Sequence, residues 1–383
     1  MAALASGHCA TDFAGGALPA LLPFFVDKFD LSYTLAAAVM LVSAVSSSVV
    51  QPLFGLWSDA RGAIWLLPAG VAVAGAGTAL ASVSPSYALV LLCVVVGGLG
   101  TAAYHPEGSK FAAFAGGRRR ASAMSLFSIG GNVGYALGPT IATPLVLAFG
   151  LSGGLLIAVP SLLVALALLQ LAPRLRSLAP EHGQRVRSDE PDRIGALLLL
   201  LGVIAFRSVA WFGLVTFVPL YEISRGHSKA YGNHLLSLML LAGGLGTLAA
   251  GPLADRFGRR PVLLASTAAT APLIVVFVAV GGIPGAIALA GIGISVISTF
   301  GVTMVMAQEY LPSRIGMASG LSIGLSIGLG GVGAVVLGAV ADSIDLRAAM
   351  YVTAAAAVAG LVLAALLPST RASGRLRVEP VAP

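Results

Sequence analysis

Several ionisable side chains of this sequence lie inside long apolar stretches. His8 and Asp12 fall in the first such stretch. His105 and Glu107 fall in a later one, and Arg207 lies near the middle of a third. Charged groups are costly in hydrocarbon, so those that occur there commonly mark ion or substrate pathways. Acids and histidines can take up and release protons, and a guanidinium can bind an anion.

His8 and Asp12 are four residues apart, which places both side chains on one face of a helix. A histidine and a carboxylate so placed can share a proton, because each changes the other's affinity for it. The spacing therefore predicts a proton site. The alternative is a structural hydrogen bond that fixes this helix to a neighbour.

His105 and Glu107 flank Pro106, and positions two apart point to opposite sides of a regular helix. Both can face one cavity only if the proline distorts the turn. Their predicted depth matches that of His8 and Asp12, so one mixed cluster is possible. We predict Asp12 and Glu107 as proton carriers and the histidines as their tuners or as anion contacts, and the assignment among the four stays open.

Arg207 is flanked by long apolar runs on both sides, too deep for its side chain to reach the membrane surface easily. Its planar donor fork suits a carboxylate, phosphate or phosphonate. We predict that it binds a substrate anion in a central cavity; the alternative is a permanent ion pair with Asp12 or Glu107. Substrate and carboxylate would then compete for this cation, and the competition would couple the binding of proton and substrate. Further polar candidates for the substrate site are Tyr104, His105 and Asn132.

The composition identifies the elements that must position these residues. The chain of 383 residues is 57% hydrophobic and only 10% charged, against roughly 25% charged residues in soluble proteins. A water-soluble domain is therefore excluded. The net charge of +7 comes from basic residues in short loops, which does not indicate nucleic-acid binding. The two cysteines, Cys9 and Cys93, provide neither a disulfide framework nor metal-ligand spacing, and we expect no metal site.

Apolar segments long enough to cross a bilayer, about 20 residues each, predict an all-α membrane protein with twelve transmembrane helices. The predicted spans are 4–26, 33–57, 63–83, 86–110, 119–148, 151–172, 193–220, 229–254, 260–280, 284–309, 314–341 and 346–367. The polar stretch 173–192 divides them into two six-helix bundles, 1–172 and 193–368. Residues 369–383 form a tail.

Basic residues set the predicted orientation. They concentrate in alternate loops, the linker and the tail, as in Arg118, Arg119, Arg120, Arg185 and Arg187. Cytoplasmic loops carry such an excess of Lys and Arg. We therefore expect linker, tail and both termini in the cytoplasm, and the first apolar stretch to be a retained spanning helix, since no basic residue precedes it.

A repeat relates the two bundles. Residues 55–62 read GLWSDARG and residues 251–258 read GPLADRFG, so two glycines and an aspartate recur at a constant offset. The second copy resembles the signature loop of the major facilitator superfamily, whereas the first lacks the arginine after its aspartate and the basic pair beyond it. The resemblance implies two pseudo-symmetric bundles that alternate around a central site. Gating by a cytoplasmic salt-bridge network is predicted for Asp59, Asp255, Arg256, Arg260, Glu309 and Arg314.

Further motifs are similar to the fosmidomycin-resistance branch of this superfamily. They are HCATD at 8–12, QP at 51–52, YHPE at 104–107, GGNVG at 130–134 and AQEYLPSRIGMASG at 307–320. The resemblance implies a bacterial inner-membrane exporter that is driven by the proton gradient and acts on a small phosphonate. Residues 134–139, GYALGP, also resemble the core of an antiporter motif, although the glycine pair that usually follows is absent. Helix packing is the alternative explanation for these glycines.

Three classes of function remain open from the sequence. The first is a proton-coupled exporter of small anionic drugs that works as a monomer without a cofactor. The second is a symporter of the same fold that imports an organic anion or a sugar. The third, a membrane enzyme or lipid-handling protein, is disfavoured because no nucleophile–base pair, metal-ligand cluster or phosphate-binding loop is evident.

Overall fold

The computed structural model describes residues 1–61, 63–116, 120–177, 185–187, 191–312, 315–368 and 377–379. In the first half the helices are α1 Ala2–Phe29, α2 Tyr33–Ser48, α3 Gln51–Arg61, α4 Leu66–Val83, α5 Tyr87–Gly116, α6 Arg120–Phe149 and α7 Ala158–Arg176, with a 3-10 helix at Gly150–Ile157. In the second half they are α8 Ile194–Ser224, α9 Lys229–Phe257, α10 Arg259–Val280, α11 Gly282–Tyr310, α12 Ile315–Ser343 and α13 Leu346–Leu366.

The predicted all-α membrane architecture is confirmed. Eleven stretches of the described chain are long and apolar enough to cross a membrane, and one of them, 123–176, contains most of α6 and all of α7. That stretch has 54 residues, enough for two crossings. Helices form here because the bilayer offers no partners for backbone N–H and C=O groups, which must therefore bond within each segment.

Two predicted spans are less regular than the sequence indicates. The span 33–57 is divided into α2 and α3 at residues 49–50, just before Pro52, whose backbone nitrogen cannot donate to the preceding turn. The span 151–172 begins within the 3-10 helix, whose first residue, Gly150, has a left-handed φ of 64°. Both differences reflect backbone chemistry that hydropathy does not register.

The helix ends define two ends of the molecule. At the far end, α1 and α8 finish, and α2, α9 and α13 begin; at the termini end, α1 begins and α13 finishes. Three side chains cap helices at the far end: Ser32 Oγ accepts from Leu35 N at 3.3 Å, Ser228 Oγ from Tyr231 N at 3.1 Å, and Asp345 Oδ1 from Ala348 N at 2.6 Å. These caps satisfy otherwise unpaired N–H groups.

A stripe of glycines brings α6 against α1. Added Cβ atoms at Gly130, Gly134 and Gly138 would lie 2.0–2.3 Å from backbone atoms of α1. Glycines four apart share a helix face, and their small size allows the two backbones to approach closely. This contact fixes the depth of His8 and Asp12 relative to α6.

The linker between the bundles includes a short strand. Residues 185–187 form a strand that pairs antiparallel with 377–379 in the tail, with Val186 opposite Val378. The predicted linker, 173–192, thus overlaps the last turn of α7 and ends two residues before α8.

Candidate functional site

Three ionisable side chains converge in the first bundle. Asp12 on α1 receives His8 Nε2 at 3.2 Å on Oδ2 and His105 Nε2 from α5 at 3.0 Å on Oδ1. Their ligand-type atoms all lie within 4.8 Å of one another. We call this group the His–Asp–His cluster. Its side chains keep 13, 22 and 23% of their surface exposed for His8, Asp12 and His105, so the cluster is partly open.

The hydrogen bonds of His8 determine where its protons lie. Nδ1 is 2.8 Å from the carbonyl oxygen of Phe127, which can only accept, so Nδ1 carries a hydrogen. In neutral His8, Nε2 would then present a lone pair to the Asp12 carboxylate. Two acceptors at that distance repel each other unless a cation lies between them. The arrangement therefore suits a proton shared by His8 and Asp12.

Residues of α6 position this cluster. The Phe127 ring stacks on His8 with 4.1 Å between ring centroids and an interplanar angle of 24°. Gly131 provides the space, because an added Cβ would lie 2.5 Å from His8 Nε2 and 2.6 Å from Asp12 Oδ2. Gly131 belongs to the GGNVG motif at 130–134, but neither Gly131 nor Phe127 is predictable as part of the site, since spacing along the chain does not show which helices are neighbours.

The other candidate residues of the first bundle make their contacts outside the His–Asp–His cluster. Glu107 is buried on α5 and forms an ion pair with Lys110 at 2.8 Å, so the three converging side chains do not include it. Buried Tyr104 donates its hydroxyl to Leu4 O at 2.5 Å. Asn132 is half-buried. Its Cβ lies 3.7 Å from the position that a Cβ at Gly244 would take, so Asn132 lies where α6 faces α9 of the second bundle.

Arg207 is buried in the second bundle, with 7% of its surface exposed. Its guanidinium donates to Thr303 Oγ1 at 3.0 Å and Ser326 Oγ at 3.3 Å, and it lies over the Phe300 ring at 5.3 Å. Within the part of the chain that the structure describes, no carboxylate lies at ion-pair distance from it. A permanent pair with Asp12 or Glu107 is thus not what this structure shows.

A small cavity adjoins Arg207 between α8, α10, α11 and α13. Hydroxyl groups supply most of its polar lining: Thr267, Thr270, Ser295 and Thr299. The cavity lies within the second bundle, whereas the sequence predicted an anion site in a central cavity. Buried cations normally require an opposite charge, and here hydroxyl dipoles take that place.

The predicted gate residues lie at the termini end. Glu309 pairs with Arg259 at 2.9 Å, between α11 and α10. Arg260 donates to the carbonyl oxygen of Ala365 at 2.8 Å. Asp255 and Arg256 are exposed at the end of α9, before Gly258 with its φ of 93°. Contacts of Glu309 and Arg260 thus join helices of one bundle. The side chain of Asp59, and Arg314 as a whole, lie outside the described residues.

Contacts between the bundles occur at the far end, which the sequence analysis did not predict as a gate. Asp342 on α12 accepts from Tyr33 N at 2.7 Å, Thr34 N at 2.9 Å and Thr34 Oγ1 at 2.6 Å. Its carboxylate therefore caps the N-terminus of α2, where the helix dipole favours negative charge. A salt bridge between Lys229 on α9 and Asp27 on α1 joins the bundles at the same end.

A second set of contacts between the bundles lies deeper. Asn233 Nδ2 on α9 donates to Thr143 Oγ1 at 2.9 Å and to Ala20 O at 3.1 Å. The far end is thus held closed by α2 against α12 and by α6 against α9.

Comparison with known sequences gives the family. The sequence model of the Major Facilitator Superfamily matches residues 4–232 and 200–382. The chain is 35% identical over 372 residues to the uncharacterized MFS-type transporter YfnC of Bacillus subtilis (strain 168), covering 94% of this chain and 91% of the relative. It is 28% identical over 383 residues to the fosmidomycin resistance protein of Escherichia coli (strain K12), covering 97% and 93%.

Comparison with solved structures supports the fold. The chain is similar to a bacterial homologue of the human lysosomal transporter Spinster, with a TM-score of 0.77 and 16% sequence identity. The match covers 95% of each chain. At that identity the likeness establishes the arrangement of helices, and it agrees with the two-bundle architecture.

Proposed function

The chain belongs to the major facilitator superfamily, and we propose that it is a proton-coupled antiporter that exports small anionic drugs such as the phosphonate fosmidomycin. It would work by alternating access in a bacterial inner membrane, with both termini in the cytoplasm. It would act as a monomer and draw its energy from the proton gradient, without a cofactor.

The observation that carries the proton coupling is the His–Asp–His cluster. His8 Nδ1 is committed to the Phe127 carbonyl, so Nε2 and the Asp12 carboxylate need a cation between them. A proton satisfies this need, and its departure leaves two facing acceptors. Protonation therefore changes the forces between α1, α5 and α6, as a coupling site requires.

Arg207 supports an anionic substrate. A buried guanidinium surrounded by hydroxyls, with no carboxylate at ion-pair distance among the described residues, retains its capacity to attract an anion. The 28% identity to a protein named for fosmidomycin resistance supports a phosphonate as the cargo. The substrate class rests on these two arguments.

The contacts at the far end support alternating access. Asp342 at the α2 N-terminus and the Lys229–Asp27 pair hold the bundles together at one end. Export through that end requires these few polar contacts to break while the bundles rotate. Individual contacts of this kind are weak enough to open repeatedly.

Transport in inverted membrane vesicles tests the proposal. We expect labelled fosmidomycin to accumulate when the vesicle interior is acidic, and drug addition to release protons from the interior. Asp12→Asn should reduce this accumulation to the level of protein-free vesicles, because the proton site loses its charge. Asp30→Asn is the matched control: Asp30 is exposed at the end of the same helix with φ 49°, a conformation that Asn tolerates.

The possible outcomes separate the parts of the proposal. Accumulation in right-side-out vesicles under external acid, and none in inverted vesicles, would establish symport instead. Full accumulation by Asp12→Asn would eliminate the cluster as the coupling site. Unchanged fosmidomycin tolerance in a pump-deficient host that produces the intact protein would remove this drug from the substrates.

A further inference from the structure

We propose that His8, Asp12 and His105 form a binding site for a divalent transition-metal ion, with Zn²⁺ as the probe. This inference uses the cluster of the proposed function, but it stands on the arrangement of the ligand atoms. Spacing along the chain did not predict it, because His105 is 93 residues from Asp12 and reaches it only where α5 packs against α1.

The ligand set suits such an ion. Two imidazole nitrogens and a carboxylate are ligands that Zn²⁺, Ni²⁺ and Cu²⁺ accept, whereas Mg²⁺ and Ca²⁺ prefer oxygen alone. Zn²⁺ binds nitrogen and oxygen at about 2.0–2.2 Å, so neighbouring atoms of a tetrahedron are about 3.3 Å apart. The nitrogen–oxygen separations here are close to that value, at 3.2 Å from His8 Nε2 to Asp12 Oδ2 and 3.0 Å from His105 Nε2 to Asp12 Oδ1, and the carboxylate must rotate for one oxygen to serve both edges. Small side-chain movements would therefore admit the ion.

The environment of His8 makes it a better metal ligand than an isolated histidine would be. Histidine ligands usually donate their second ring N–H to a carbonyl or carboxylate, which fixes the tautomer. His8 Nδ1 makes this contact with Phe127 O at 2.8 Å, and this leaves the Nε2 lone pair directed at the cluster. The stacked Phe127 ring also restricts rotation of the imidazole.

The cluster also has access and room for a further ligand. Its three side chains are partly exposed, so an ion can enter without unfolding the bundle. Three protein ligands leave a fourth tetrahedral position for water or for an anion. The hydrogen bond from His8 Nδ1 to the Phe127 carbonyl oxygen can stay in place when the ion binds.

Metal and proton must compete for this site. A metal requires the Nε2 lone pair and the ionised carboxylate, which are the atoms that the shared proton occupies. Binding should therefore weaken as pH falls. A bound ion would also prevent proton release and uptake, so Zn²⁺ should inhibit proton-driven transport.

Zn²⁺ titration of the purified full-length protein tests the site. The affinity tag must contain no histidine, and a competing chromophoric chelator reports the free ion. We expect one equivalent of Zn²⁺ at pH 7.5, weaker binding at pH 5.5, and no displacement by excess Mg²⁺. His105→Gln should lower the Zn²⁺ affinity at least about tenfold, as losses around metal sites typically do.

Two further variants make the test specific. His105→Cys supplies another zinc ligand and should restore the affinity that His105→Gln loses. His234→Gln alters an exposed histidine on α9 and should leave the affinity unchanged. Absence of one-equivalent binding by intact, monodisperse protein, or equal affinity of intact protein and His105→Gln, would overturn the metal site.

Transport measurements separate this inference from the proposed function. Proton-driven export that continues without any Zn²⁺ binding would reject the metal site alone. Zn²⁺ binding that depends on His105, in a protein without proton-driven transport, would retain the metal site and reject the proton coupling. Inhibition of export by Zn²⁺ at the concentrations that fill the site in the titration, and not by the same concentrations of Mg²⁺, would support both.

Discussion

The two bundles share a plan of six spans but place different ionisable groups within those spans. The first bundle holds an aspartate between two histidines, all partly exposed and within 4.8 Å. The second holds the guanidinium of Arg207, 7% exposed, whose hydrogen-bond partners are the hydroxyls of Thr303 and Ser326. A repeated fold has thus placed groups that titrate in one half and a permanently charged group in the other.

This difference suits the two bundles to different steps of transport. A histidine–carboxylate group changes its charge when it gains or loses a proton, whereas a guanidinium does not titrate at physiological pH. The first bundle is therefore suited to respond to protons, and the second to hold an anion. Changing either group should affect a different step of transport.

Arg207→Gln should have the largest effect on substrate affinity. Loss of a charge-assisted hydrogen bond, about 1.5–3 kcal/mol, predicts a rise of about 10- to 100-fold in KM for the anion in vesicle transport. Arg207→Lys should retain part of the affinity, because it keeps the charge without the planar fork. The substrate role fails if KM is unchanged in the glutamine variant.

Stability offers a check on Arg207 that transport does not. Thr303 also donates to Thr299 O at 3.0 Å and Ser326 contacts Ser208 at 2.9 Å, so these hydroxyls keep partners without the guanidinium. Removing a buried charge that lacks an opposite charge should not destabilise the fold. We expect the thermal midpoint of Arg207→Gln to equal or exceed that of the intact protein; a clear decrease would indicate a structural role.

Gly131→Ala should reduce proton-driven transport about tenfold and leave KM near its normal value. The new methyl group would lie 2.5–2.6 Å from His8 Nε2 and Asp12 Oδ2 and force the cluster apart. Gly301→Ala is the matched control, since a Cβ there meets no atom within 4 Å and alanine favours the helix by about 0.5–1 kcal/mol. Equal transport by both variants would contradict the assigned geometry.

Asp342→Asn should shift the bundles toward opening at the far end by about fivefold. A carboxylate at a helix N-terminus contributes about 1 kcal/mol, and this one belongs to the opposite bundle. Asp345→Asn is the control, because Asp345 caps α13 within its own bundle. Spin-label distances between the exposed positions Ser86 and Arg347 provide the readout, in a background without cysteines.

The outcome for these two aspartates is diagnostic. The fraction of molecules with a longer distance between the two spin labels should increase in Asp342→Asn and stay constant in Asp345→Asn. The same distance distribution in both variants would show that the α2 cap does not hold the far end closed.

Arg259→Gln should have the smallest effect. Its ion pair with Glu309 is partly exposed and joins two helices of one bundle, and such pairs contribute at most about 1 kcal/mol. We expect less than about a fivefold change in vesicle transport, comparable to the surface variant Arg347→Gln. A complete loss would give this pair a gating role that its position within one bundle does not suggest.

The sequence was sufficient for the spans and their order but not for their breaks. Each described helix contains one predicted segment or part of one, because the bilayer requires about 20 apolar residues for each crossing. The division between α2 and α3 and the 3-10 helix that begins at Gly150 depend on local backbone geometry instead. Hydropathy averages over such features.

The candidate site was partly predictable. The spacing of His8 and Asp12 predicted one shared face, and the structure places them 3.2 Å apart. Glu107 was predicted in the same cluster, yet it pairs with Lys110 while His105 contacts Asp12. Residues two apart on α5 point in different directions, so only the packing of α5 against α1 could decide between them.

By itself, the sequence determined a twelve-span membrane chain in two halves, with an acid–histidine pair and a deep arginine. Only the tertiary structure decided which helices meet: that His105 completes the cluster, that Gly131 leaves room for it, that hydroxyls surround Arg207, and that Asp342 joins the bundles at the far end. The physical reason is that all spans are similarly apolar, so hydrophobicity sets their number and length. Close packing of small side chains, and the need to satisfy each buried polar group, set their neighbours.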